Sequence, residues 1–326
     1  MFIRRVFSAS LFFLIVLLFP LIPGCEATTP QYVLLIGWDG AQRNHVNECL
    51  SRSELPNLQA LIGQGSKVDV DITGTTDTKA GWTQILTGYF PEVTGVYSNS
   101  KYQAIPVGLS IFERLEKYYC GDNIFTAAVI GKKDHVDNSP SQKIAYKPGD
   151  NLQGGTVITE GGKQYLQIPA KPYYYTSQNM DFWENGLVQN NTVGQHAVDL
   201  LSGHKSERGF YFIHFAEVDT SGHAYGENSK EYNDALISCD YWLGKIVACL
   251  KESGMYDDTL IYITADHGFD EGLKTHSNAP YVFLVTNDSN KITSGWRQDI
   301  TPTIMNRLGI TLNELQPILG GKSLYR

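Results

Sequence analysis

Short apolar runs alternate with segments of helical spacing along most of the chain. The apolar or β-favouring runs, which are typical of buried strands, lie at residues 32–38, 210–215, 260–264 and 281–285. Between the runs, apolar residues recur at helical spacing, most clearly over residues 229–253. This alternation predicts an α/β fold with a largely parallel central sheet and helices on both faces.

Residues 140–185 interrupt the alternation. This stretch is rich in Gly, Tyr, Lys and Gln, and it contains strand-like fragments at residues 156–159 and 165–168. It predicts a small β-rich insertion that caps one end of the sheet.

The N-terminus has the pattern of an export signal. Arg4 and Arg5 precede an apolar stretch over residues 11–22, which predicts a signal peptide over residues 1–24. The following Cys25 resembles the lipid-bearing cysteine of a bacterial lipoprotein, whereas an ordinary cleaved signal and a single membrane span are the alternatives. We therefore expect an exported protein, lipid-anchored through Cys25 or else periplasmic or extracellular. Membrane contact is expected only through this segment or its lipid.

The bulk composition narrows the class of protein. The 326 residues suffice for one large domain, which we expect over residues 25–326. The net charge of −8 argues against non-specific nucleic-acid binding, and the 12% of aromatic residues argues for a globular chain.

Carboxylates and histidines follow several of the predicted strands. The candidates for metal binding are Asp39, Asp219, His223, Asp266, His267 and His276. Such donors suit zinc, and open α/β sheets place their chemistry at strand ends. We expect Asp219 and His223, four residues apart in a Gly-containing loop, to face one cation. His214 alternates within a predicted strand and is expected to pack in the core.

Thr78 lies where a polar loop meets a predicted helix at about residues 79–86. A hydroxyl is a poor nucleophile at neutral pH unless a neighbouring base or cation activates it. The start of a helix also favours an anionic substrate. Thr78 can equally be a helix N-cap, and the two roles are compatible.

These motifs together resemble the alkaline phosphatase superfamily, in its branch of type I phosphodiesterases/nucleotide pyrophosphatases and sulfatases. The family pattern T-G-x-x-P-E-x-x-G fits residues 87–95, D-x-x-G-H fits 219–223, and D-H-G fits 266–268. The later lone histidine of the family matches His276. The resemblance covers nearly all of residues 31–310 and implies an alkaline phosphatase-like catalytic domain.

The resemblance implies two zinc ions and a covalent intermediate. One zinc would be held by Asp39, Thr78, Asp266 and His267, and the other by Asp219, His223 and His276. Thr78 would form a phosphothreonine, which water then hydrolyses.

Further catalytic roles follow from similarity alone. Asn99 matches an asparagine aimed at a phosphoryl oxygen, although it can also be a turn residue. Lys133 and His135 resemble cationic pairs found at this place in sulfatases and in some Thr-dependent phosphomonoesterases, or they form a solvated basic loop. Lys79 either adds charge beside the nucleophile or faces solvent.

We therefore favour a phosphomonoesterase that acts on a small phosphorylated substrate, since extra cations suit a monoester dianion. The alternatives are a phosphodiesterase/nucleotide pyrophosphatase, a phosphoryl-group transferase and a sulfatase-like hydrolase. The residues after Thr78 are Lys79-Ala80-Gly81, which depart from the Phe-Pro-Asn of many diesterases. They also lack the C/S-x-P-x-R context of formylglycine sulfatases.

Overall fold

The computed structural model describes residues 30–279 and 281–326. The predicted signal peptide and the predicted lipid attachment at Cys25 lie outside the described residues. Within the described ranges, no helix is both long enough and apolar enough to cross a bilayer.

Eight of the described strands form the central sheet, and they are β1 Tyr32–Trp38, β2 Ser66–Asp71, β3 Phe125–Ile130, β7 Phe182–Asn185, β8 Gly209–Phe215, β9 Thr259–Thr264, β10 Tyr281–Thr286 and β11 Gly295–Trp296. Their order across the sheet is β11-β2-β10-β9-β1-β8-β3-β7. Among the described strands of this sheet, β10 alone runs antiparallel to both of its neighbours. The sheet is therefore largely parallel, as the sequence predicts.

The middle strands are buried on both faces. Every residue of β1, β8 and β9 is buried, which explains why these strands read as continuous apolar runs rather than as alternating ones. Burial on both faces requires cover on both faces, and the helices supply it.

Nine α-helices surround the sheet within the described residues. They are α1 Arg43–Ser51, α2 Pro56–Gln64, α3 Thr78–Thr87, α4 Pro91–Thr94, α5 Ile111–Tyr119, α6 Asn190–Gly203, α7 Glu217–Tyr225, α8 Lys230–Glu252 and α9 Ile300–Arg307. On one face of β8, Phe210 packs on Phe112 of α5 and Phe212 packs on Trp82 of α3. Helices α2, α6 and α7 pack against the long helix α8.

The predicted insertion contains a separate small sheet. Strands β4 Gln142–Ala145, β5 Thr156–Glu160 and β6 Lys163–Ile168 pair antiparallel in the order β4-β6-β5. The prediction of an α/β fold with a β-rich insertion is confirmed. The end of the predicted range differs, because β7 at residues 182–185 pairs with β3 at the edge of the central sheet.

Candidate metal centre

The site lies at the carboxyl ends of four adjacent strands. Strands β9, β1, β8 and β3 are neighbours and run parallel, so the residues that follow them meet at one edge of the sheet. Asp39 follows β1, Asp266 follows β9, Asp219 lies in the first turn of α7 after β8, and Lys132 follows β3. Pairing of the strands thus brings together side chains from distant parts of the chain.

One imidazole nitrogen marks the centre of the site. His267 Nε2 lies 3.3 Å from Thr78 Oγ1 and 3.4 Å from Asp266 Oδ2. The same nitrogen lies 3.6 Å from Asp219 Oδ1 and 3.8 Å from Asp39 Oδ1. The structure therefore brings the predicted nucleophile and three predicted carboxylate ligands around a single histidine.

Helix α7 carries two of the predicted ligands. Asp219 and His223 stand one turn apart on α7, so the predicted loop around them is wrong. His223 Nε2 lies 3.4 Å from Asp219 Oδ1. His223 Nδ1 donates a hydrogen bond of 2.9 Å to the carbonyl of Lys274, which leaves Nε2 as the atom able to bind a metal.

The other two histidines face the same point. His267 Nδ1 donates to the carbonyl of Gly268 at 2.9 Å, so its Nε2 also carries a free lone pair. The ring of His276 stacks on that of His267 with 4.0 Å between centroids, and it lies 5.0 Å from the ring of His223.

The donors fit divalent cations. The described residues contain two groups of three donors, and within each group the donor atoms all lie within 4.8 Å of one another. The groups are Asp219–His223–His276 and Asp39–Asp219–His267. Asp219 belongs to both groups. In addition, Asp219 Oδ1 and Asp266 Oδ2 are buried without a hydrogen-bond partner among the described residues. Buried carboxylate oxygens without partners are costly unless they bind a cation.

Asp39 is oriented by two side chains behind it. Its Oδ2 accepts hydrogen bonds from Trp82 Nε1 at 3.1 Å and from His214 Nε2 at 2.9 Å, which leaves Oδ1 facing the site. His214 is buried on β8, as expected, but it contacts a candidate ligand in addition to packing in the core. No sequence motif marks His214 or Trp82 as a site residue.

Lys132 is the lysine that reaches the carboxylates. Its Nζ forms ion pairs with Asp219 Oδ2 and, at 3.2 Å, with Asp39 Oδ1. The side chain of Lys133, the lysine that the resemblance selects, is exposed, and its carbonyl accepts a hydrogen bond from Asn185 Nδ2. The catalytic role of Lys133 stays a prediction, while Lys132 is the site residue that the motif comparison misses.

Burial and the ion pairs set the protonation of the site. Burial alone would raise the pKa of Asp39, but the Lys132 ammonium and the hydrogen bond from His214 hold it well below its ordinary value. Burial and the charge of Asp39 would raise the pKa of Asp219. The neighbouring Lys132 and His223 outweigh them and lower that pKa to about 2. Burial and the charge of Asp39 raise the pKa of Asp266 well above its ordinary value.

Two of the histidines are held neutral by burial. Burial lowers the pKa of His267 to about 4 and also lowers that of His276. Neutral imidazole is the form that binds metals, so these groups need not lose a proton on binding. The pKa of His223 is raised instead, chiefly by the Asp219 carboxylate next to it.

Thr78 is the first residue of α3, and Asp77 occupies the N-cap position. The threonine is therefore inside the helix rather than at its cap. Helix α3 is buried throughout, so the position of the Thr78 hydroxyl is fixed by core packing.

Asn99 is held beside the nucleophile with a defined orientation. The backbone N–H of Lys79 donates to Asn99 Oδ1 at 3.0 Å, and the backbone N–H of Asn99 donates to Asp77 Oδ2 at 2.8 Å. Because a backbone N–H can only donate, the amide oxygen must face Lys79 and the amide nitrogen faces away. That orientation leaves Nδ2 available as a donor. Its catalytic role stays a prediction.

Arg297 connects the segment that carries Asp266 with the loop that precedes Thr78. This buried guanidinium donates to the carbonyls of Asp266 at 2.9 Å and Thr75 at 2.7 Å, and to Gln84 Oε1 at 2.7 Å. It thereby ties the end of β9 to the loop that leads into Thr78. No motif in the sequence points to it.

A polar cleft of about 380 Å³ is lined by Lys79, the residue that follows Thr78. Asn99 and His135 of the core also line it, together with residues of the insertion. Lys79 is buried rather than solvated, and its Nζ donates to the carbonyl of Asn99 at 2.8 Å. Burial, together with the nearby Lys79 and Lys132, lowers the pKa of His135 to about 4, so its imidazole is neutral.

Comparison with known families gives one consistent result. The family model for type I phosphodiesterase / nucleotide pyrophosphatase matches residues 33–283, a range that contains Thr78 and all the predicted metal ligands. Bis(5'-adenosyl)-triphosphatase ENPP4 from Pongo abelii is 25% identical over 251 residues, which are 74% of this chain and 48% of that protein. The chain thus spans about half the length of this relative.

Solved structures share the fold. The lipoteichoic acid synthase LtaP from Listeria monocytogenes superposes with a TM-score of 0.60 at 17% identity, over 91% of this chain and 76% of that one. A protein of the alkaline phosphatase superfamily from Vibrio parahaemolyticus superposes with a TM-score of 0.56 at 14% identity, over 87% of this chain and 67% of that one. At these identities the superpositions establish architecture alone.

Proposed function

The chain belongs to the type I phosphodiesterase/nucleotide pyrophosphatase family, and from this membership we propose that it is a metal-dependent hydrolase of phosphoric esters with Thr78 as its nucleophile. One observation carries the proposal. Thr78 Oγ1 and oxygens of Asp39, Asp219 and Asp266 all lie within 3.8 Å of His267 Nε2. A hydroxyl placed among three buried carboxylates has an environment that suits metal-assisted chemistry.

Two divalent cations, zinc by the nature of the donors, would be held by the carboxylates and histidines. Asp219, His223 and His276 would hold one, and Asp39, Asp266, His267 and the Thr78 hydroxyl the other. Bound there, zinc would neutralise phosphoryl oxygens and favour the ionised hydroxyl. The presence of His223 and His276 in one donor group, and of Asp39 and His267 in the other, supports two neighbouring cation positions.

The chain's own residues hold and orient the substrate. Thr78 Oγ1 attacks phosphorus from the first turn of α3 and displaces the ester oxygen as an alcohol, and water then cleaves the phosphothreonine to release phosphate. Asn99 Nδ2 donates a hydrogen bond to a phosphoryl oxygen, because its Oδ1 is already engaged by Lys79. Lys132 places one positive charge beside the reacting group.

We favour small phosphomonoesters as the substrates. A monoester dianion carries one more negative charge than a diester. The buried Lys79 directly follows Thr78, and the partly buried Lys132 pairs with two of the carboxylates of the site. The second candidate is a phosphodiesterase or nucleotide pyrophosphatase, which the family model and the name of the ENPP4 relative favour.

We also propose that the protein is exported and anchored by a lipid at Cys25, or else periplasmic or extracellular.

The test compares Thr78→Ala and Thr78→Ser with the wild type on aryl phosphate monoesters and diesters. We expect Thr78→Ala to lose turnover by on the order of a thousandfold, and Thr78→Ser, which keeps a hydroxyl, to retain part of it. Bound metal, measured by elemental analysis, should stay near the wild-type content in both variants. Near wild-type turnover in Thr78→Ala would refute the assigned nucleophile.

A further inference from the structure

The cleft beside Thr78 has two walls of different origin. Lys79, Asn99 and His135 lie on the core side, while Asn151, Gln153, Gly154 and Lys171 come from the insertion. Nearly all these side chains are polar. Such a lining is more polar than apolar, which suits a short polar group better than a long acyl chain.

One lysine of the core and one lysine of the insertion both contact the ring of Tyr102. Lys79 Nζ lies 4.5 Å and Lys171 Nζ 5.2 Å from the centre of the Tyr102 ring, and Lys171 Nζ also donates to Tyr102 Oη at 3.1 Å. The ion-paired lysines of the described residues are Lys132, Lys143 and Lys230, so neither cleft lysine is neutralised by a carboxylate there. The two ammonium groups repel each other, and a bound anion would offset that repulsion.

The arrangement is built into the backbone. Tyr102 Oη donates to the carbonyl of Gln153 at 2.7 Å, and the backbone N–H of Lys171 donates to the carbonyl of Ser139 at 2.9 Å. Gly154 has a φ of +79°, and a Cβ there would lie 2.5 Å from the Tyr102 ring. A glycine is therefore required for the insertion to approach Tyr102 this closely.

We propose that this cleft binds a second anionic group of the substrate, a phosphate or carboxylate on a short polar chain, with Lys79 and Lys171 as its charge partners. The inference rests on the proposed function, since it concerns the substrate cleaved at Thr78. Lys79 directly follows Thr78, and Asn99 lines the cleft, so the second anion lies one short chain away from the scissile phosphate. The exposed Asp134 also lines the cleft and leaves a net positive charge beside the neutral His135.

The test uses esters that differ in one terminal group. Propyl phosphate, phosphonooxypropanoate and trimethylene bisphosphate all contain a three-carbon chain and differ in the group at its far end. If the enzyme cleaves diesters faster than monoesters, nitrophenyl phosphodiesters with the same three tails replace them. We expect kcat/KM to be about tenfold higher with an anionic tail. The larger of the two gains identifies the anion. Equal values for all three tails would overturn the proposal.

Variants of Lys171 make the test specific to the cleft. Lys171→Met should reduce the anionic preference by about tenfold, and Lys171→Arg, which keeps the charge, should retain it. Lys163→Met removes an exposed lysine from β6 of the same insertion and should leave the preference unchanged. An unaltered preference in Lys171→Met contradicts the assignment.

A binding measurement separates this inference from the proposed function. In the Thr78→Ala background, Lys171→Met should weaken phosphonooxypropanoate binding about tenfold in isothermal titration, with little effect on propyl phosphate. Failure of every ester to be cleaved by the wild type would refute the proposed function and leave this readout intact. Equal affinity with and without Lys171 would refute the cleft assignment even if esters are cleaved.

Discussion

His214 is a buried residue that binds no metal itself but orients a candidate metal ligand. Its Nε2 donates to Asp39 Oδ2, and together with Trp82 it leaves Asp39 Oδ1 free to face a cation. Partners that orient a metal ligand in this way commonly contribute as much as tenfold to hundredfold to metal affinity.

His214→Ala should therefore weaken zinc binding by about tenfold to a hundredfold, measured by competition with a chelating dye. His214→Gln, which can still donate to Asp39, should lose less. His196→Ala, which removes a half-exposed histidine paired with Glu184, is the control and should bind zinc normally. Unchanged affinity in His214→Ala would show that Asp39 needs no such support.

Lys132 and Lys133 are neighbours in sequence with opposite surroundings. Lys132 lies between two buried carboxylates, whereas Lys133 is exposed. Removing one partner of a buried ion pair leaves an uncompensated charge, which costs far more than losing a surface lysine.

We expect Lys132→Met to lower the free energy of unfolding of the metal-free protein by about 3 kcal/mol. Zinc should restore most of that loss, because the cation then neutralises the same carboxylates. Lys133→Met should change the stability by less than about 0.5 kcal/mol. Chemical denaturation with and without zinc measures all three values, and equal effects of the two substitutions would contradict the geometry.

Helix α7 depends on a close contact with the segment after β9. A Cβ on Gly222 would lie 2.5 Å from the Phe269 ring. The centre of that ring lies 5.1 Å from that of His223 and 5.4 Å from that of His276. The approach of α7 to Phe269 therefore also sets the spacing of two candidate ligands.

Gly222→Ala should destabilise the protein by about 1–3 kcal/mol and weaken zinc binding, because Phe269 must move. Gly203→Ala, at the end of α6 with open space around it, is the matched control and should be close to neutral. Thermal unfolding and zinc titration of both variants check this. A Gly222→Ala protein with normal stability and normal zinc affinity would show that the contact is not needed.

At the scale of the whole molecule, the fold and most of the donor set could be predicted from the sequence. Strands β1, β8 and β9 are buried on both faces and so leave unbroken apolar runs. Asp39 directly follows β1, and Asp266 lies two residues after the end of β9. The helix that carries Asp219 and His223 was missed, since its residues EVDTSGHAY show little amphipathic pattern.

The other site residues could not be predicted because their roles depend on tertiary contacts. His214 meets Asp39 only because β8 pairs with β1 in a register that places Gly37 opposite His214. Lys132 and Lys133 are adjacent, and successive side chains of an extended segment point in opposite directions. The path of the chain after β3 therefore decides which of the two lysines faces the site. Arg297 reaches Asp266 and Thr75 across the fold, and no local pattern marks it.

The central claim is that distant strand ends assemble a two-ion centre around the Thr78 hydroxyl. Anomalous diffraction at the zinc edge, from crystals of the metal-loaded protein, tests it most directly. We predict two peaks, one within bonding distance of Asp219, His223 and His276 and one within bonding distance of Asp39, Asp266, His267 and Thr78. A zinc-loaded crystal without a peak beside Asp39 and Thr78, with Lys132 still bound to the carboxylates, would contradict the account.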